Sequence, residues 1–242
     1  QRNLQVVWID HHPVQDVESE NVHYFNPLNG KEPSSVPTSY LCWKAVQRDD
    51  WIALLGCLND WYLPDFAKDF AKKYPDLLDE TEDAGEARFK TLMGKLLMII
   101  IFAMKDSLTN VVKMMKLLIE AEGPYEILNE DKKYAQILKR YQKLDKLYQK
   151  LTKKAAGEAE GKIIFFKYSA DIAMSREICN KLLYLCPEKI IVVAHEKGDR
   201  AAVSLSSKEL DSGMIVSCFK KYLNYNFRRY HKCTCIEGGF HR

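Results

Sequence analysis

The segment Val6-Val7-Trp8-Ile9-Asp10-His11-His12 constrains the chain more than any other. Its four apolar residues read as a buried strand. The run stops at an acid followed by two histidines. In open α/β sheets, ligands bind outside the carboxyl ends of the strands. A carboxylate and two imidazoles at such an end suit a divalent cation such as Mn²⁺, or an acid/base centre. Adjacent histidines alone are a weak signal, since surface pairs commonly do nothing.

Two further segments strengthen it. Leu54-Leu55-Gly56-Cys57-Leu58-Asn59-Asp60-Trp61 is helix-like and closes on an acid, and Gly238-Gly239-Phe240-His241 lies near the end of the sequence. Pro37-Thr38-Ser39 stands between the first two motifs. This ordered set resembles the DHH phosphoesterase family, which includes RecJ-type exonucleases, archaeal RecJ-like nucleases, nanoRNases and cyclic-dinucleotide phosphodiesterases. The resemblance spans the chain and is loose between about residues 65 and 160.

The resemblance implies an α/β fold of two lobes. A partial parallel-sheet DHH domain would occupy residues 1–63, a helical region and connector 64–156, and a smaller α/β substrate-binding domain 162–242. It implies an enzyme that hydrolyses phosphodiesters on nucleic acid ends or short oligonucleotides with Mn²⁺ or Mg²⁺. Two cations about 4 Å apart would clamp the attacking and leaving oxygens. His11 corresponds to a metal ligand and Asp60 to a bridging or terminal ligand of the same cluster. His12 corresponds to the histidine that contacts the scissile phosphate or protonates the leaving oxygen, work suited to imidazole. Asp10 would orient a histidine from behind. Gly238 and Gly239 would bring backbone N–H groups to a substrate phosphate, with His241 and Arg242 adding hydrogen bonds or charge. Arg228 and Arg229, interleaved with Tyr225, Phe227 and Tyr230, would extend a groove for single-stranded nucleic acid. The alternatives are a cyclic-dinucleotide phosphodiesterase and a non-catalytic DHH-like scaffold binding nucleic acid or replication proteins. Retention of both His11 and Asp60 disfavours the scaffold.

The sequence departs from the family pattern twice. The family's Asp-x-Asp-Gly loop and a further aspartate precede Asp-His-His, whereas here that motif begins at residue 10. The chain is therefore expected to be an excerpt lacking part of its metal site, and inactive alone. Ser206 also stands where the family often has an arginine in a Ser-x-Arg segment. Lys208 as a substitute would lack the guanidinium fork.

Composition narrows the remaining choices. A net charge of +3 is too small to argue for nucleic acid by itself. The longest apolar run, Leu96 to Met104, is shorter than the ~20 residues a membrane span needs, so it reads as a core helix and no membrane partner is expected. Seven scattered cysteines, an odd number, point to a reducing, cytoplasmic setting. Cys233-x-Cys235 has no second pair and reads as structural.

Thr38 or Ser39 reads as the cap of one helix, and Asp49 or Asp50 as the cap of the next. Leu92, Leu96, Ile99, Ile100, Ala103 and Met104 form one apolar helix face, and Val111 to Ile119 another. Tyr134, Ile137, Leu138, Tyr141, Leu144, Leu147, Tyr148 and Leu151 mark one stripe of a long helix. Nine Lys or Arg against the single acid Asp145 over 132–154 read as a solvated face, or as a track for a phosphate backbone. Residues 155–161 read as a linker. Strands over 162–168, 189–194 and 201–205 and helices over 171–185 and 209–223 follow. The apolar runs at Ile163 and Ile190 suit central strands covered by helices.

Overall fold

A computed structural model describes residues 4–198 and 200–208. Arg228, Arg229, Gly238, Gly239, His241, Arg242, the expected helix 209–223 and the Cys233-x-Cys235 pair lie outside them. The protein is mixed α/β and about half helical, with two small open sheets among the described residues. The described residues divide into two compact units, with the boundary between Lys139 and Arg140. No described helix is long and apolar enough to cross a membrane.

In the first unit, β1 (Val6–Ile9) pairs in parallel with β2 (Val22–Phe25), Trp8 opposite Tyr24. Their rings meet at 4.8 Å, a cross-strand aromatic contact. The expected burial of β1 does not hold: Val6, Val7 and Trp8 are exposed, Val7 by 71%. With β2 as its sole strand neighbour among the described residues, β1 has too little structure around it to be covered.

Helices follow: α1 (Thr38–Val46), α2 (Asp50–Asn59), α3 (Ala67–Lys73), α4 (Ala84–Lys90), α5 (Leu92–Ala103), α6 (Leu108–Glu120) and α7 (Tyr125–Leu128). The core forms around α2 and α5, where Leu54, Leu58, Met93, Leu96, Ile99 and Phe102 are buried. The ends of the expected α5 face, Leu92 and Met104, are exposed. The second expected face fails more broadly, since on α6 Met114 alone is fully buried and Ile119 is 79% exposed. The expected caps hold in part. Pro37, which has no side-chain acceptor, sits at the N-cap of α1 in place of Thr38 or Ser39, and the Thr38 hydroxyl is directed at His11. Asp49 occupies the N-cap of α2, as expected, but in left-handed backbone and without a side-chain cap bond, and the Asp50 carboxylate accepts from Trp43 Nε1 at 2.9 Å.

Helix α8 (Ala135–Gly157) carries the expected stripe: Ile137, Leu138, Leu144 and Tyr148 are buried. It takes in the first three residues of the segment expected to be a linker, 155–157, and Ala155 is fully buried. Strand β3 (Ala159–Glu160) follows at once. Alanine favours helix, so Ala155 and Ala156 extended α8 where the composition resembled a linker.

The second unit holds a four-stranded sheet in the order β3-β4-β5-β6, with β4 (Ile163–Ser169), β5 (Ile190–Lys197) and β6 (Arg200–Ser206). β4 and β5 run parallel; the outer pairs are antiparallel. Helix α9 (Ser175–Leu185) links the parallel strands and starts later than residue 171. Its Ile178, Cys179 and Leu182 are buried, as are Ile164 and Phe166 of β4 and Ile191 and Val193 of β5, and α9 lies against β5 and β6. β5 is buried on both faces, as a central strand should be, but β4 alternates and leaves Phe165 exposed. Ser206 is buried and takes a 3.4 Å contact from the Cys179 thiol, so it faces α9. Lys208 is exposed.

Candidate metal centre

The β1 ladder runs one bond past the strand: the Asp10 N–H donates to the Phe25 carbonyl at 3.0 Å. This fixes where the chain turns. Asp10 Oδ1 then accepts from the His11 N–H at 2.8 Å, the His12 N–H at 3.3 Å and His12 Nδ1 at 2.7 Å. An aspartate that bonds the backbone just ahead of it stabilises a turn. Burial pushes the Asp10 carboxyl up, but the bonds from the His12 ring and the two backbone amides outweigh it and hold it below its ordinary value. Asp10 thus stays ionised and shapes the loop that presents both histidines.

Asn26 clamps the same loop from below. This buried side chain donates through Nδ2 to the His12 carbonyl and to the Tyr24 hydroxyl, both at 2.8 Å, and its Oδ1 accepts from the Leu28 N–H at 3.0 Å. Asn26→Ala strands several of these groups at once. Leaving a buried polar group unpaired costs about 1–3 kcal/mol, and the variant should melt correspondingly earlier in calorimetry. An unchanged melting temperature would show that the clamp carries nothing.

His11 is held from α1. Its Nδ1 lies 3.0 Å from the Thr38 hydroxyl and accepts from the Thr38 N–H at 3.3 Å. A proton on Nδ1 can be donated to the hydroxyl, which gives up the backbone bond and leaves the Nε2 lone pair outward; a proton on Nε2 keeps both bonds, with Nδ1 as the acceptor. The first tautomer alone allows Nε2 to bind a cation.

Asp60 lies one residue beyond α2. Its Oδ1 accepts from Asn59 Nδ2 at 3.3 Å, and its Oδ2 is 3.9 Å from His11 Nε2. The glycine of the Gly-x-x-x-Asp segment has a steric reason to be there. A Cβ on Gly56 would lie 2.5 Å from Ser39 Cβ and 2.6 Å from Ser39 Oγ. Gly56 therefore lets α2 lie against the start of α1, where Thr38 holds His11. Burial pushes the Cys57 thiol up to about 11, with the Ser39 hydrogen bond opposing and the Asp60 charge adding.

The structure thus brings Asp10, His11, His12 and Asp60 to one place. Possible ligand atoms of Asp10, His11 and His12 lie within 4.8 Å of one another. The His11 and His12 rings are 4.4 Å apart, and the His12 side chain is 70% exposed. Gly238, Gly239, His241, Arg242, Arg228 and Arg229 are outside the described residues. Sequence reasoning passed over Asn26, whose one visible signal was Asn-Pro ahead of a turn, and gave Thr38 a capping role. No protein-family model matches the sequence, and no curated protein matches it.

Proposed function

We propose that the chain carries part of a metal-dependent phosphodiesterase centre, acting on nucleic acid ends or short oligonucleotides in the manner of the DHH family. The observation that carries this reading is the 3.9 Å between His11 Nε2 and Asp60 Oδ2. It is too long for a hydrogen bond. It falls within the span of two atoms each about 2.1 Å from one ion. Two separate elements, the β1 loop and the end of α2, are held at that spacing by Thr38, Gly56 and Asn59. Mixed imidazole and carboxylate donors fit Mn²⁺ better than Mg²⁺, which prefers oxygen.

A bound cation supplies Lewis acidity and an activated water at neutral pH. The chain's own residues do the rest. His11 and Asp60 would hold the cation. Asp10 sets the ring of His12 through Nδ1, so His12 Nε2 is the atom available to contact a phosphate oxygen or hand a proton to the leaving oxygen. The Gly238–His241 loop, with Arg242, Arg228 and Arg229, would hold substrate phosphates. The two-lobe division at 1–63, 64–156 and 162–242 and a cytoplasmic setting belong to the same proposal.

Metal binding tests this without turnover. The chain should bind Mn²⁺ by calorimetry or by loss of the free-ion paramagnetic resonance signal. His11→Ala and Asp60→Asn should each weaken binding by at least about tenfold, the loss that even a supporting group gives. His12→Ala should leave Mn²⁺ affinity nearly intact and, in an active enzyme, lower turnover. Wild-type affinity in both ligand variants would end the reading.

A further inference from the structure

Arg88 is 2% exposed, near the C-terminal end of α4. Its Nη1 donates to the carbonyls of Leu58 and Asn59, both at 2.6 Å. These belong to the last turn of α2, where helix carbonyls lack partners within the helix and a cation meets the negative end of the dipole. The next feature is Trp61, whose φ is +56°. Helices often end on a left-handed residue, but it is usually glycine, and a bulky side chain there is strained. The Trp61 ring is held at 5.7 Å from the Phe89 ring and 5.9 Å from the Arg88 guanidinium carbon. Asp60 sits between the two restraints. Its own N–H bonds back to Cys57 at 3.0 Å, and its carboxylate is gripped by the Asn59 amide.

The backbone of Arg88 is itself wedged. A Cβ on Gly94 of α5 would lie 2.0 Å from the Arg88 carbonyl oxygen, so α5 and the end of α4 are in direct contact. A continuous set of contacts therefore runs from the core helix through Arg88 to Asn59, Asp60 and His11.

We propose that Arg88 and Trp61 lock the end of α2 and thereby fix the direction of the Asp60 carboxylate toward His11. Arg88 is a positioning residue, and the inference rests on the metal reading of Asp60. A buried arginine that merely joined two helices would give up stability when replaced and nothing else. A lock on Asp60 predicts in addition a local change in the two residues beyond α2 and in metal affinity.

The test uses the whole chain, with Mn²⁺ alone as probe, well below the melting temperature. Arg88→Met should weaken Mn²⁺ binding by about 10- to 100-fold, the range for groups that support a metal ligand. Amide exchange should quicken at Asp60 and Trp61 but not at Leu54 and Leu55. Arg88→Lys keeps a donor and the charge and should recover part of both effects. It also serves if Arg88→Met does not fold, as an intermediate loss relative to wild type. Unchanged Mn²⁺ affinity in a folded variant overturns the lock. If the wild-type chain binds no Mn²⁺, the metal reading falls and exchange decides alone. Faster exchange confined to Asp60 and Trp61 then supports the lock, and unchanged exchange overturns it.

Discussion

Gly56→Ala should weaken Mn²⁺ binding by at least about tenfold while leaving every proposed ligand in place, a loss of the size expected when ligand support is removed. The new methyl would lie 2.5 Å from Ser39 Cβ, and that atom cannot rotate away as a hydroxyl can. Helix α1 must move off α2. Thr38 travels with α1, and Thr38 holds His11 Nδ1, whereas Asp60 stays with α2. The 3.9 Å spacing is thus set by how closely two helices approach. Stability moves less than affinity. Alanine is favoured over glycine in a helix by about 1 kcal/mol, while overpacking costs about 1–3 kcal/mol, so the net loss should be about 1 kcal/mol. Ser39→Gly removes both clashing atoms, and the double variant Gly56→Ala, Ser39→Gly should recover Mn²⁺ affinity by calorimetric titration. Failure of that rescue would show that Gly56 acts by some route other than helix spacing.

Gly94→Ala should be the more damaging for folding. Its methyl would meet the Arg88 carbonyl oxygen at 2.0 Å and the Ala87 carbonyl oxygen at 3.0 Å. Both obstacles are backbone, so no side-chain rotation relieves them. Overpacking of this kind reaches or exceeds about 3 kcal/mol, and the helix preference for alanine offsets about 1 kcal/mol of it. A net loss of about 2 kcal/mol or more should appear in urea unfolding as a lower midpoint. Because the displaced residue is Arg88, Mn²⁺ affinity should also fall in the population that remains folded. A variant as stable as the wild type would mean that α4 and α5 do not meet as closely as described.

The sequence disclosed chemistry more readily than surroundings. Asp10, His11 and His12 were legible because an acid and two imidazoles at a strand end suit a cation, whereas Asp60 and Gly56 were legible only through the resemblance to an ordered family pattern. What Gly56 does was not, because its partner, Ser39, lies on another helix. Thr38 misled for the same reason: next to a helix start, a hydroxyl looks like a cap, and nothing local reveals a histidine arriving from β1. The strand Val6–Ile9 was readable from its apolar run, yet its exposure was not, since burial depends on neighbours. Val111 to Ile119 shows the same limit, as periodicity identifies a face without saying what covers it. Arg88 left almost no trace. One arginine between Ala87 and Phe89 looks like a surface charge until the carbonyls of Leu58 and Asn59 are placed beside it.

The histidine loop is mounted on a two-stranded parallel sheet, and a pair of strands by itself is only marginally stable in water. On the proposed metal reading, the arrangement that would bind a cation would then be one member of a local equilibrium, with apparent affinity scaled by the fraction of molecules holding it. Asn26, Asp10 and the Trp8–Tyr24 contact raise that fraction from within. Anything that settles on the exposed Val7 side chain would raise it from outside, tightening the proposed metal binding without touching a ligand.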